Sequence, residues 1–227
     1  MADIAALEKY FAPPKGIGTP LKVTGVGIAI FLIGCVGAGA AFILIGLVVI
    51  AAGAFWIYNN KKPSGLTDNQ VQAVIDQAAL PALSEAYNRF GLVPESLIAD
   101  PVVLTGPNFR SPAKKGLDGE WRTAKNFVNV LLFTEKSVHL YTHKYDVLKP
   151  SDRSGQTEEY FYRHIVSVST SEQEFKVVSD GAEATIREDT LLLRYSGGEP
   201  IVLSAYNSNQ LNAAVSAARS VIQERQH

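Results

Sequence analysis

The chain is poor in cysteine and methionine, with one of each in 227 residues. A single cysteine cannot close an intramolecular disulfide, so no covalent staple holds the fold. That residue, Cys35, stands in an apolar stretch where a thiol does not readily ionise, which excludes it as a nucleophile. The sequence has no Gly-x-Ser-x-Gly elbow. Gly34 to Gly39 is glycine-rich but has no following Lys-Ser/Thr, so it is no phosphate loop. No catalytic residue, no cofactor and no metal are therefore expected.

Charge is missing from one region altogether. No Asp, Glu, Lys or Arg occurs between Lys22 and Lys61. Residues 1–62 carry five lysines against Asp3 and Glu8, a net of +3, and the remainder carries a net of −4. A domain at −4 is a poor candidate for nucleic acid, whose affinity comes mostly from neutralised phosphates.

Residues 23–58 are 36 uncharged, mainly apolar positions. One straight helix of that length would run about 54 Å, whereas ~20 residues cross a hydrocarbon core of ~30 Å. Two short passes turning near 37–39 fit better than one long tilted helix, so a transmembrane helical hairpin is expected. Trp56 and Tyr58 stand where an interfacial aromatic belt belongs, with Lys61 and Lys62 completing the anchor. Lysines on both flanks put both ends on the cytoplasmic side of a bacterial inner membrane. Small residues four apart, such as Gly25/Ala29 and Gly37/Ala41, suit close helix approach and homo-oligomers. Leu32-Ile33-Gly34-Cys35 looks like a lipobox, but the apolar residues after Cys35 argue against processing there. The arm at 1–22 begins with Ile4, Leu7 and Phe11 on one helical face and stops at Pro13-Pro14. It reads as a surface helix or a frayed tail.

Beyond Pro63-Ser64-Gly65 the pattern changes. Thr67 and Gln70 have capping-box spacing, and a linking helix over 66–90 follows, interrupted at Pro81 and ended by Gly91. From residue 100 the signals are those of strands: Asn126–Phe133, Ser137–Tyr145, Glu158–Ser169, Phe175–Val178, Leu191–Tyr195 and Pro200–Tyr206. Leu211, Ala214, Val215, Ala218 and Ile222 then form the stripe of a closing helix.

The words Val130-Leu131-Leu132-Phe133-Thr134-Glu135-Lys136-Ser137-Val138 and Tyr160-Phe161-Tyr162-Arg163-His164-Ile165-Val166-Ser167-Val168, with the terminal helix, resemble bacterial pleckstrin-homology-like (PH-like) domains over residues 100–225. The resemblance implies an α+β domain, an antiparallel β-barrel closed by a C-terminal helix. It implies binding of lipids, peptides or proteins, and no catalytic residues. With the hairpin it gives a membrane-anchored scaffolding module whose partners are the bilayer and an unidentified protein.

Two groups of contact residues follow. Lys114, Lys115, Arg122 and Lys125 would meet anionic headgroups, although Asp118 and Glu120 stand among them. His139, Tyr141 and His143 alternate on one strand face and would meet a partner. Four residues of strand span about 13 Å, so His139 and His143 cannot share a zinc ion. The acidic pairs Glu158-Glu159 and Glu188-Asp189 read as solvated charge.

Overall fold

The computed structural model describes residues 3–12, 18–33, 35, 40–61, 65–179, 182–206 and 208–225. They fall into two units, residues 12–65 and residues 1–11 with 66–227.

The first unit holds α2 (Gly18–Ile33) and α3 (Ala40–Lys61). The two run antiparallel: Thr24 faces Gly53, Gly27 faces Ile50 and Phe31 faces Gly46. A Cβ at Gly46 would stand 2.6 Å from the Phe31 backbone nitrogen, so glycine sets the helix separation there. Gly27, Gly46 and Gly53 thus serve a contact within one chain, whereas Gly25 has nothing within 4 Å and Gly37 lies outside the described residues.

Among the described residues, however, no helix is long and apolar enough to cross a membrane. The 16 residues of α2 rise only about 24 Å against a core of ~30 Å. Helix α3 has 22 residues but ends in Asn59, Asn60 and Lys61. The expected transmembrane hairpin is corrected accordingly to a short helix pair. The anchor assigned to Trp56, Tyr58, Lys61 and Lys62 lies outside the described side chains, and the turn near 37–39 lies outside the described residues.

In the second unit, α1 (Ile4–Phe11) is followed by α4 (Asp68–Ala79) and α5 (Ala82–Phe90). Thr67 and Gln70 make both reciprocal bonds of a capping box. Leu80-Pro81 divides α4 from α5, and Gly91, at φ 65°, closes α5 in the left-handed conformation. Helix α1 packs on the domain rather than fraying as a whole: Leu7, Tyr10 and Phe11 are buried in the same cluster as Val71 and Ile75.

Among the described residues nine strands follow: β1 (Val102–Pro107), β2 (Ala113–Lys115), β3 (Trp121–Thr123), β4 (Lys125–Phe133), β5 (Ser137–Asp146), β6 (Arg153–Phe161), β7 (Ile165–Ser179), β8 (Ala182–Tyr195) and β9 (Ile201–Ser204). Helix α6 (Ser208–Arg225) ends the described chain. The strands form three antiparallel sheets, β1-β4-β5-β6, β2-β3 and β7-β8-β9. Among the described residues the strands lie in separate sheets, which corrects the expected β-barrel closed by a C-terminal helix. A single turn at Tyr162–His164 carries the chain from one large sheet to the other. Its Tyr162 is buried and its hydroxyl donates to the Thr134 carbonyl at 2.8 Å, which fixes the corner.

Alternation along β4 and β5 explains the layering. Leu131, Phe133, Val138 and Leu140 face Leu191, Leu193, Leu203 and the stripe of α6. Val128, Val130, Leu132, Tyr141 and Tyr145 face α1, α4 and α5. The four-stranded sheet is thus covered on both faces.

Candidate functional site

The aromatic face of β5 is one face, as the spacing implies, but this chain's own helices cover it. Tyr141 is fully buried and donates to Glu85 Oε2 at 2.6 Å, and Tyr145 donates to the Ile75 carbonyl at 3.0 Å. His143 is buried with Nδ1 3.5 Å from the same Glu85 oxygen. His139 packs edge-on against Phe90. Burial lowers the pKa of His143, with Glu85 opposing, and it lowers that of His139, with Glu159 opposing. Burial, with the Glu85 bond, pushes Tyr141 up to about 12. This face is an intramolecular lock rather than a partner surface. Tyr141→Phe is expected to cost about 1 kcal/mol by removing a half-buried hydrogen bond to a carboxylate. Urea unfolding read by Trp121 fluorescence in a Trp56→Phe background checks it.

Three of the four candidate lipid-contacting cations are engaged in the domain. Arg122 is buried and holds Asp118 through two nitrogens, at 2.6 and 3.0 Å. That bond holds the Asp118 carboxyl at about 2. Lys125 bonds Asp152 at 2.9 Å, and Lys114 sits 4.2 Å over the Tyr10 ring. Lys115 is exposed.

Two other surfaces stand open. The first is the edge of β7. Among the described residues β7 pairs with β8 alone, so its opposite edge carries no strand. Arg219 of α6 reaches this edge and donates to the Val168 carbonyl at 3.2 Å. Backbone groups alternate in direction along a strand, so Thr170 also directs its N–H and C=O outward. The Ser171 carbonyl, of opposite parity, accepts from Thr190 of β8. Beside this edge lies a groove of about 460 Å³ lined by Thr170, Asn212, Val215, Arg219 and Gln223.

The second is a cleft of about 200 Å³ where the β2–β3 hairpin meets β8. Glu188 lines it with 9 % of its surface exposed, and both carboxylate oxygens are buried beside the Ser204 side chain. Burial raises its pKa from 4.5 to about 8, with hydrogen bonding from the Ser204 side chain opposing. Phe109 and Trp121 pack edge to face at 6.4 Å and form an aromatic wall. Tyr206, also lining the cleft, bonds Asn126 and Thr123.

Glu188 corrects the sequence expectation of solvated charge. It sits inside β8, and the signal was the period-two set Ile186, Glu188 and Thr190, all buried. Asp189, its neighbour, is exposed. Among the described residues no group of three or more His, Cys, Asp or Glu side chains could hold a metal. No family model matches the chain, and neither does any curated protein or solved structure.

Proposed function

We propose that the domain of residues 66–225, with α1, is a non-catalytic interaction module of the PH-like kind that accepts an extended peptide segment along β7. The carrying observation is the strand-free edge of β7 beside α6, with the outward backbone of Thr170 above a groove. Added strands gain affinity from main-chain bonds and specificity from alternate side-chain pockets. Support for the PH-like kind comes from the order of elements: a four-stranded antiparallel sheet, a three-stranded sheet and one terminal helix packed against both.

Peptides selected from a random library against the whole chain are expected to slow amide exchange at Thr170. Thr170→Pro removes one outward donor and leaves the β8 ladder intact. It should weaken those peptides by at least about tenfold, one lost bond in a desolvated edge. Peptides that bind equally well to Thr170→Pro and protect another surface would overturn the proposal.

A further inference from the structure

Apart from the β7 edge, we propose that a cleft between α1, α4 and the β5–β6 connection binds a free fatty carboxylate, a medium-length alkyl chain ending in a carboxylate. The cleft holds about 390 Å³, within the ~300–1,000 Å³ of small-molecule pockets. Its walls are aliphatic. Ile4 and Leu7 come from α1, Val74 and Ala78 from α4, and Val147 and Pro150 from the chain after β5. Ile4 keeps 44 % of its surface exposed while lining the cleft, so apolar area is left for a ligand to cover. Half of this wall, α1 and α4, lies before the stretch that resembles PH-like domains, and none of it belongs to the groove at β7.

The polar groups decide what stands at the end of the chain. Tyr145 is buried in the wall, and its hydroxyl donates to the Ile75 carbonyl at 3.0 Å. Asp146 is engaged through both oxygens. Oδ1 accepts from the Leu148 N–H at 2.8 Å, and Oδ2 lies 3.7 Å from Lys125 Nζ. Arg153 is the one cation lining the cleft among the described residues, and among them it forms no ion pair.

The register aims that cation. Arg153 opens β6 directly opposite Tyr145. Residues paired across two strands point to the same side of the sheet, so Arg153 shares the helix-covered side with Tyr145 and the cleft. Its charge is felt there: burial lowers the His143 pKa, Glu85 opposes, and Arg153 lowers it further. A guanidinium beside an aliphatic slot donates to a carboxylate through two parallel N–H groups. An alkylammonium in the same slot would meet like charge.

The test titrates the whole chain with sodium decanoate below its micelle-forming concentration, with decyltrimethylammonium as the chain of opposite charge. Methyl resonances of Val74, Ala78 and Val147 report the cleft. Those of Val26, Ile28 and Leu44 report the exposed apolar residues of α2 and α3. Saturable shifts at the cleft methyls, with decanoate at least about tenfold tighter than the ammonium, are the expected result. Octanoate should bind more weakly by about fourfold per methylene removed. Arg153→Gln, an exposed change, should erase the preference for the carboxylate with circular dichroism unchanged. Ala78→Phe should fill the slot and abolish binding of both amphiphiles. Decanoate shifts confined to α2 and α3, equal affinity for the two amphiphiles, or a preference that survives Arg153→Gln would each overturn the proposal. So would cleft shifts produced by phosphatidylglycerol vesicles and not by decanoate.

Discussion

Glu188→Gln is expected to stabilise the domain at neutral and alkaline pH. The folded state holds the Glu188 proton up to about pH 8, whereas the unfolded chain releases it near its ordinary value of 4.5. An acid whose folded pKa is raised imposes no penalty below the unfolded value. The penalty grows as pH rises from 4.5 to 8 and is complete above that window. Between pH 5.5 and 7.5 the parent chain should therefore lose about 2–3 kcal/mol relative to Glu188→Gln. His139 and His143, with lowered pKa values, push the other way in acid, but they are common to both chains and cancel. Urea titrations across that range, read at Trp121, decide it. Parallel pH profiles for the two chains would show that the carboxylate is solvated.

Gly46→Leu is expected to separate α2 from α3. A Cβ there would lie 2.6 Å from the Phe31 nitrogen and 2.7 Å from its Cα, and both are backbone atoms that no rotamer can move. The facing close contact at Gly27, with Ile50, makes compensation by sliding costly. Spin labels at Ala29 and Val48, in a Cys35→Ser background, should report a short distance in the parent. In Gly46→Leu the distance should lengthen by several ångström and its distribution should broaden. An unchanged distance would mean that the helices are not held by this contact. The same substitution should leave urea unfolding at Trp121 unaltered, because the second unit keeps its own cores.

Local chemistry was legible in the sequence where one segment decides its own conformation. Thr67 and Gln70, Pro81 and Gly91 announce the ends of α4 and α5, and each acts through neighbours a few residues away. The stripe of α6 was legible for the same reason. Length was not. β7 and β8 run 15 and 14 residues, far past their apolar cores, because polar positions pair across the ladder. Glu174 opposite Arg187, with Nε 3.0 Å from the carboxylate, is one such pair. What covers each sheet face was not legible either. Alternation puts His139, Tyr141 and His143 on one side, but only the tertiary fold brings Glu85 to them from 56 residues away. The membrane reading failed at the step from composition to geometry. An uncharged run of 36 residues was divided into helices of which α2 has only 16. Glu188 escaped because its charge outweighed its phase: it keeps step with Ile186 and Thr190, and the domain buries all three.

The measurement that tests the interaction module most directly is amide hydrogen exchange on the whole chain, with and without a library-selected peptide. A bound strand should slow exchange at Thr170, the outward donor of β7, while leaving the ladder amides shared with β8 as they were. A peptide that binds tightly and leaves Thr170 exchanging at its free rate would contradict the assignment of β7 as the docking edge.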